Sequence, residues 1–281
     1  MRVENKGEKI KNWTLRIVLI FGSLLVIVPL IWTVLSSLKS PSEFTTAPWA
    51  LPETLKFENY TNAFTKANMG DYFINSIIVT LLALAFLMIL AVPSAYVLSR
   101  YKFIGSNFLK NSYMAGLFIQ SVYIIVPLFL IMSDLSLLNN RVALSLVYAV
   151  LQLPFSIYIL IGFMQSIPKD YEEAAMIDGC GYTRTLTSVI VPLAKPGIIT
   201  VLIFNFMGFW NEYAMAMTFI TQDSKKTLPV GLQNLMEVNK FATDWGAMFA
   251  GMVIVMVPTI IVYSIFHKKL TEGVNIGGIK G

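Results

Sequence analysis

The chain has 281 residues, of which 56% are hydrophobic and only 13% are charged, and its formal net charge is +5. Soluble globular proteins carry about 25% charged residues, so too few charges are present to cover a water-soluble surface. This composition argues against a soluble enzyme and against a nucleic-acid-binding domain. The charges are also clustered, because a sixth apolar stretch, 196–222, contains only Glu212 and five others contain none. Those five are 17–38, 72–99, 111–133, 142–168 and 245–267.

The apolar stretches predict six transmembrane helices, because a helix needs about 20 apolar residues to cross a bilayer core. We therefore predict an all-α, multi-pass membrane protein and interpret residues 1–281 as one transmembrane domain. The predicted spans are 17–38, 72–99, 111–133, 142–164, 198–220 and 246–267. The first is too long for the hydrophobic region of a signal peptide, so we expect it to be retained as an anchor.

The basic residues predict the orientation of these spans. Hydrophilic segments on one predicted side carry 14 Lys and Arg in 68 residues, and those on the other side carry 7 in 63 residues. Because basic residues accumulate on the cytoplasmic side, both termini are predicted to be cytoplasmic. An even number of spans requires the same.

Taken in chain order, the first outer segment, 39–71, is predicted to be mostly irregular, with a short helix near Asn59–Lys66. Span two ends at Arg100-Tyr101-Lys102, which has the composition of an interfacial anchor. Spans three and four contain Pro127 and Pro154, which favours a packed bundle because each proline frees a backbone carbonyl.

Several classes of site are excluded by single-residue counts. The chain has one cysteine, Cys180, and one histidine, His267, so we expect no intrachain disulfide, no His/Cys metal site and no Ser-His-Asp triad. It also lacks the G-x-x-x-x-G-K-[ST] phosphate loop. If ATP drives this protein, another chain must bind it.

The most informative hydrophilic stretch is the predicted cytoplasmic segment 168–196. Asp170 followed by Glu173 resembles a capping box, and Gly179 suits the left-handed position just after a helix. A short helix between spans four and five is therefore predicted. The small side chains of Ala174 and Ala175 would let a partner surface approach its backbone, although an ordinary amphipathic surface helix has the same pattern.

The same segment carries a family resemblance. Glu173-Ala174-Ala175, then Gly179, then 189–192 (Val-Ile-Val-Pro) resembles the E-A-A-x3-G-x9-I-x-L-P motif of membrane subunits of bacterial ATP-binding-cassette importers, with Val in place of Ile and Leu. The chain from about residue 13 is similar to the carbohydrate branch, specifically to the maltose-type second permease. The further matching pieces are Asn75-Ser76, Arg100-Tyr101-Lys102-Phe103, Ile167-Pro168, Trp210-Asn211-Glu212-Tyr213, Thr227-Leu228-Pro229-Val230-Gly231-Leu232 and Thr243-Asp244-Trp245-Gly246.

This resemblance implies the type I importer permease fold in a bacterial cytoplasmic membrane. It also implies a second homologous permease, two ATPase subunits that hold ATP and magnesium, and an extracytoplasmic sugar-binding protein facing the outer loop Thr221–Asp244. The chain itself would bind no cofactor and would not be an enzyme. The residues implied to contact an ATPase subunit, through a coupling helix, are Glu172, Glu173, Ala174, Ala175, Asp178 and Gly179.

Span five contains polar residues that predict a substrate pathway or a helix contact. Asn205 and Glu212 are seven residues apart and would share one face of a continuous helix, while Trp210 and Asn211 would point elsewhere. Polar groups inside a membrane usually face a bundle interior or a water-filled cavity. We take Asn205, Trp210, Asn211 and Glu212 as candidate pathway residues, with interhelical bonding as the alternative role.

Three other functions stay open at this stage. The solute of an importer could instead be a polyol, a glycerol phosphate or a sialic acid. An ion-coupled secondary transporter with Glu212 as its ion site is a rival, although such folds usually show internal repeats and broken helices and no repeat is evident. A non-transporting scaffold is the third, and the E-A-A segment argues against it.

Overall fold

The computed structural model describes residues 6–66, 68–239 and 244–278, with side chains over 11–65, 68–236 and 244–267. Thr243, which belongs to one piece of the resemblance, and residues 240–243 of the predicted outer loop lie outside the described residues. In the described part of the chain the regular structure is helical, as the predicted fold class requires. The helices are α1 (Lys6–Ser36), α2 (Pro41–Thr46), α3 (Glu58–Lys66), α4 (Met69–Arg100), α5 (Ser106–Gly116), α6 (Ser121–Asp134), α7 (Arg141–Leu151), α8 (Leu153–Ser166), α9 (Asp170–Ile177), α10 (Tyr182–Leu193), α11 (Lys195–Trp210), α12 (Ala214–Phe219), α13 (Leu228–Asn239) and α14 (Trp245–Gly278).

Three helices are long and apolar enough to cross a membrane without interruption. They are α1 over Lys11–Ser36, α4, and α14 over Trp245–His267. Three further helix pairs meet the same criterion only when both members are taken together. These pairs bend by 104° between α5 and α6, by 51° between α7 and α8, and by 76° between α10 and α11.

The bends divide each of the predicted spans three, four and five between two helices. Span four is broken at Gln152, and Pro154 lies at the start of α8, where its missing N–H costs nothing. Pro196 occupies the same place at the start of α11. Predicted span five also ends early as a helix, because residues 211–213 separate α11 from α12. The break at 117–120 contains no proline, and nothing in the structure explains it.

The helices group into two compact units, 1–69 with 232–256 and 70–231 with 257–281. In the first unit, the stretch that follows α1 is more ordered than predicted, because Ser40 and Glu43 form a capping box at the start of α2. Lys39 is buried and donates from Nζ to the carbonyls of Ala47 (3.1 Å) and Pro48 (2.8 Å). These bonds fix the turn that follows α2.

The second unit has a core built around one stripe of α4. Ala83, Leu87, Ala91 and Ala95 are completely buried and are spaced four residues apart, so they lie on one helix face. Small residues on such a face let neighbouring helices approach closely. The surrounding core includes Leu144 of α7 and Leu160 of α8, both also without exposure.

Candidate functional site

The predicted coupling segment forms helix α9, but its N-terminus differs from the prediction. The helix begins at Asp170, its N-cap is Lys169, and no side chain caps it. The proposed Asp170–Glu173 capping box is therefore wrong. Asp170 and Glu173 instead lie in the first turn, where their negative charge interacts favourably with the exposed N–H groups of the helix.

The C-terminus of α9 follows the sequence prediction closely. Gly179 has φ +77°, the left-handed conformation expected of it. Its N–H donates to the Met176 carbonyl at 3.0 Å, and the Cys180 N–H donates to the Ala175 carbonyl at 2.9 Å. These two bonds form a Schellman motif, which ends the helix sharply at Asp178.

The six residues predicted for ATPase contact do not share one face of α9. Glu172 and Ala175 are buried, whereas Glu173, Ala174, Asp178 and Gly179 are exposed. The exposed side also carries three apolar residues that sequence reasoning omitted, namely Tyr171, Met176 and Ile177, and Ile177 is 87% exposed. Their signal was present in the sequence, because a two-turn helix with one buried face leaves its other apolar residues outside.

Arg100 attaches α9 to the end of α4. Its Nε lies 2.5 Å from Oε1 of Glu172, and both side chains are over 90% buried. These two atoms are misaligned for a hydrogen bond, so the attraction between them is mainly Coulombic. Arg100 Nη2 also donates to the carbonyl of Ile167 at 2.8 Å. Arg100 is therefore a buried link between two segments.

A cluster of three tyrosines contacts this ion pair through Tyr96. Tyr96 donates its hydroxyl to Oε2 of Glu172 at 3.5 Å. Its ring contacts those of Tyr101 and Tyr182 with centroids 5.9 and 5.3 Å apart. Aromatic contacts at these distances favour tilted or edge-on arrangements. The buried side of α9 is thus held by the charge of Arg100 and by the Tyr96 hydroxyl, while its other side stays open.

Glu212 lies in the break between α11 and α12 and caps the second helix. Its carboxylate accepts hydrogen bonds from the N–H groups of Met215 (2.8 Å) and Ala216 (3.0 Å), and from the Tyr148 hydroxyl. The first N–H groups of a helix lack partners within it, and inside a membrane no water replaces them. Glu212 therefore satisfies the start of a helix that interrupts the span.

The other span-five residues have separate surroundings. Asn205 is buried and donates from Nδ2 to Ser156 Oγ (3.1 Å) and to the Val201 carbonyl (2.8 Å), which joins α11 to α8. Trp210 is buried and stacks on Phe206, whereas Asn211 is exposed. Because the helix ends at Trp210, Asn205 and Glu212 do not lie on one continuous helical face as predicted.

The first part of the predicted outer loop, 221–228 (the outer segment), is tied to the body of the second unit. Asn75 donates to the carbonyls of Ser224 (3.0 Å) and Lys226 (2.9 Å), and Ser76 accepts from the Leu228 N–H at 2.8 Å. Asn139 accepts from the N–H groups of residues 221 and 222, both at 2.7 Å. The described continuation of the predicted loop, as far as Asn239, forms α13.

Asp223 adds a charged contact within the outer segment. It pairs with Lys226 at 3.1 Å and accepts from the Tyr72 hydroxyl at 3.0 Å. The hydrogen bond from Lys226 lowers the pKa of Asp223 below its usual value, and the bond from Tyr72 acts in the same direction while partial burial opposes both. At neutral pH the carboxylate is charged and is held at the first turn of α4.

Gly231 explains another piece of the resemblance. A Cβ at this position would lie 2.0 Å from Cδ2 of Tyr72, so α13 approaches α4 at a distance that only glycine allows. Two of the motif pieces recognised in the sequence, Asn75-Ser76 and 227–232, therefore meet in space. Their contacts fix residues 221–228 to the first turns of α4.

Comparison with known proteins places this geometry in a family. The model of binding-protein-dependent transport system inner membrane components matches residues 88–275. A diacetylchitobiose uptake system permease protein of Streptomyces coelicolor is 40% identical over 92% of this chain and 86% of its own length. A sulfoquinovosyl glycerol transport system permease protein of Agrobacterium fabrum is 37% identical, covering 90% of this chain and 88% of its own.

A solved structure shows the same fold. A chain of a bacterial ABC transporter involved in the import of the acidic polysaccharide alginate superposes with a TM-score of 0.82 at 24% sequence identity. The match covers 95% of this chain and 99% of that one. The resemblance found in the sequence is thereby confirmed, and the chain belongs to the family of binding-protein-dependent transport system inner membrane components.

Proposed function

We propose that this chain is the permease subunit of an ATP-driven, binding-protein-dependent sugar importer, and that it forms half of the translocation pathway. The single observation that carries the coupling part of this proposal is helix α9, which is fixed on one side and open on the other. The sugar assignment is supported by the two permease relatives, whose names specify a disaccharide derivative and a sugar glycerol.

In this proposal the open side of α9 contacts an ATPase subunit. Glu173 and Ala174 offer a charge and a close backbone approach, and Met176 and Ile177 offer apolar area. Behind them, the Arg100–Glu172 ion pair transmits movement of α9 to α4. A coupling element has to be rigid in this way, because a displacement is passed on only through packed or paired groups.

ATP and magnesium would be held by two partner ATPase subunits, and a second homologous permease would complete the pathway. Both termini would lie in the cytoplasm, as the distribution of basic residues predicts. The outer segment and α13 would face an extracytoplasmic binding protein. Asn205 and Glu212 would support the pathway walls, since their hydrogen bonds are made within the chain.

A second candidate differs only in the solute, which would be a polyol, a glycerol phosphate or a sialic acid. One relative is named for the transport of sulfoquinovosyl glycerol, an acidic sugar derivative, and this name supports an acidic or glycerol-containing solute as the second candidate. An ion-coupled secondary transporter is disfavoured by family membership. Broken helices no longer argue against it, because three spans of this chain are bent as well.

The test combines reconstitution with a docking variant. The purified chain alone should hydrolyse no ATP, and uptake into vesicles should require a second permease, ATPase subunits and binding protein. Ala174→Trp should abolish uptake because it blocks the open side of α9, whereas Asn107→Trp, at an exposed position of α5, should not. Uptake that follows an ion gradient without ATPase subunits would refute the proposal.

A further inference from the structure

A cavity of about 710 Å³ opens between α5, α8 and α11 of the second unit. Most of its wall is apolar, and five of its side chains are aromatic. The polar side chains of Lys110, Gln165 and Thr200 also line it. The aromatic residues are Tyr113, Phe155, Tyr158, Phe163 and Phe204.

The length and direction of this groove match one leaflet of a bilayer. Helix α8 lines it from Phe155 to Gln165, ten residues or about 15 Å at the helical rise. That is half of a hydrocarbon core of roughly 30 Å. Helix α5 runs antiparallel to α8, because a Cβ on Gly116 at its end would lie 2.9 Å from Pro154 at the beginning of α8. The groove therefore runs from the middle of the predicted membrane to its cytoplasmic boundary.

All three helices that line the groove have a lysine in its cytoplasmic half or just beyond it. Lys110 lies in α5 and is a wall residue, Lys169 follows α8, and Lys195 opens α11, five residues before the wall residue Thr200. None of these ammonium groups forms an ion pair or a hydrogen bond within the described residues. Three unpaired cations on the cytoplasmic side of an apolar groove complement an anion attached to a hydrocarbon chain.

We propose that the groove binds an acyl chain of an anionic phospholipid from the cytoplasmic leaflet, with its phosphate near Lys110 and Lys195. Basic pockets between transmembrane helices on the cytoplasmic side bind anionic lipid headgroups. A sugar is a poorer fit, because its hydroxyl groups need hydrogen-bond partners along the whole ligand and most of the groove wall is apolar. The inference rests on the membrane orientation proposed above, but not on the transported solute.

The site has a position that permits a clean test. Gly162 lines the groove, and a Cβ built on it meets nothing within 4 Å, so Gly162→Leu should fill the groove without disturbing α8. Gly22 in α1 is equally open and provides the control, Gly22→Leu. The charge variant is Lys110→Gln with Lys195→Gln, which keeps both side chains polar.

The assembled importer would be placed in nanodiscs of equal phosphatidylglycerol and phosphatidylcholine, extracted, and examined by native mass spectrometry for retained lipid. Wild type and Gly22→Leu should retain phosphatidylglycerol in preference to phosphatidylcholine. Gly162→Leu should lower this retention roughly tenfold, as expected for displaced apolar contacts. The double lysine variant should lower the retention of phosphatidylglycerol about fivefold for each charge removed.

Three results would overturn the inference. The first is equal retention of the two lipids by wild type, and the second is retention that neither groove variant changes. The third is efficient cross-linking of a photoreactive residue at Tyr158 to the second permease, because a protein would then occupy the groove. Since the readout is bound lipid, a negative result leaves the proposed transport function untouched, and loss of transport leaves the lipid count interpretable.

Discussion

Replacing Glu172 by Gln tests whether α9 is rigidly attached to α4. The substitution keeps the shape of the side chain but removes the charge that faces Arg100, leaving a guanidinium with its side chain only 5% exposed. Breaking a buried pair in this way typically costs 3–5 kcal/mol. In a chain of this size 1 kcal/mol corresponds to about 2–4 °C, so the apparent melting temperature of the assembled complex should fall by roughly 10 °C.

The control uses the same chemical change at an ion pair on the surface. Asp223→Asn breaks the pair with Lys226, but the Asp223 side chain is 59% exposed. Exposed pairs contribute at most about 1 kcal/mol, so this variant should melt within a few degrees of wild type. The contrast between the two variants isolates the effect of burial.

A double variant, Glu172→Gln with Arg100→Met, removes both charges. Its loss of stability should be about 1–3 kcal/mol smaller than the summed losses of Glu172→Gln and Arg100→Met, because neither charge is left unpaired. Transport per ATP hydrolysed should fall in the Glu172→Gln complex, since α9 is then loosely attached. The reasoning would be refuted if Glu172→Gln melted like the surface control and the two single effects were additive.

Three further predictions concern residues between 212 and 231. Glu212→Leu should prevent assembly or transport. Glu212→Gln should lose about 1–3 kcal/mol of stability because one accepted hydrogen bond disappears, yet it should retain measurable uptake. Equal loss of uptake in both variants with normal assembly would favour an ion site. Gly231→Ala should reduce the amount of assembled complex in membranes, because its Cβ would overlap a tyrosine ring of α4. The control Gly181→Ala, whose Cβ meets open space, should not. Equal yields of the two variants would contradict the close approach of α13 to α4. The pKa of Asp223 is lowered in the folded chain. The stability that its carboxylate contributes is therefore complete above the ordinary pKa of 3.8, and it is lost as the pH falls through the lowered pKa. Amide exchange in the outer segment, corrected for its intrinsic pH dependence, should therefore rise on acidification, and Asp223→Asn should show that rise already at neutral pH.

Features set by local sequence were predictable. The charge-free stretches gave the fold class, since hydropathy identifies membrane-spanning helices. The conformation of Gly179 was predictable because a helix stop depends on a few neighbouring residues. The family motif in the same segment identified α9 as the candidate coupling element before any contact was known.

Features set by distant contacts were not predictable. Arg100 and Glu172 are 72 positions apart, and nothing in either local sequence marks a buried pair. The break after Trp210 was missed because a bent span has the same composition as a straight one. With the helix interrupted there, the shared face expected for Asn205 and Glu212 was lost, and each residue found its own partners.

The first span has a consequence of another kind. Every described side chain from 11 to 31 is exposed, and the most apolar window of α1 has no part buried against its own chain. The sequence of this part of α1 therefore determines little of the packing within the subunit, and its main contribution is its hydropathy. Insertion and assembly are separate stages for such a helix, so whatever packs against residues 11–31 has to be lipid or another subunit.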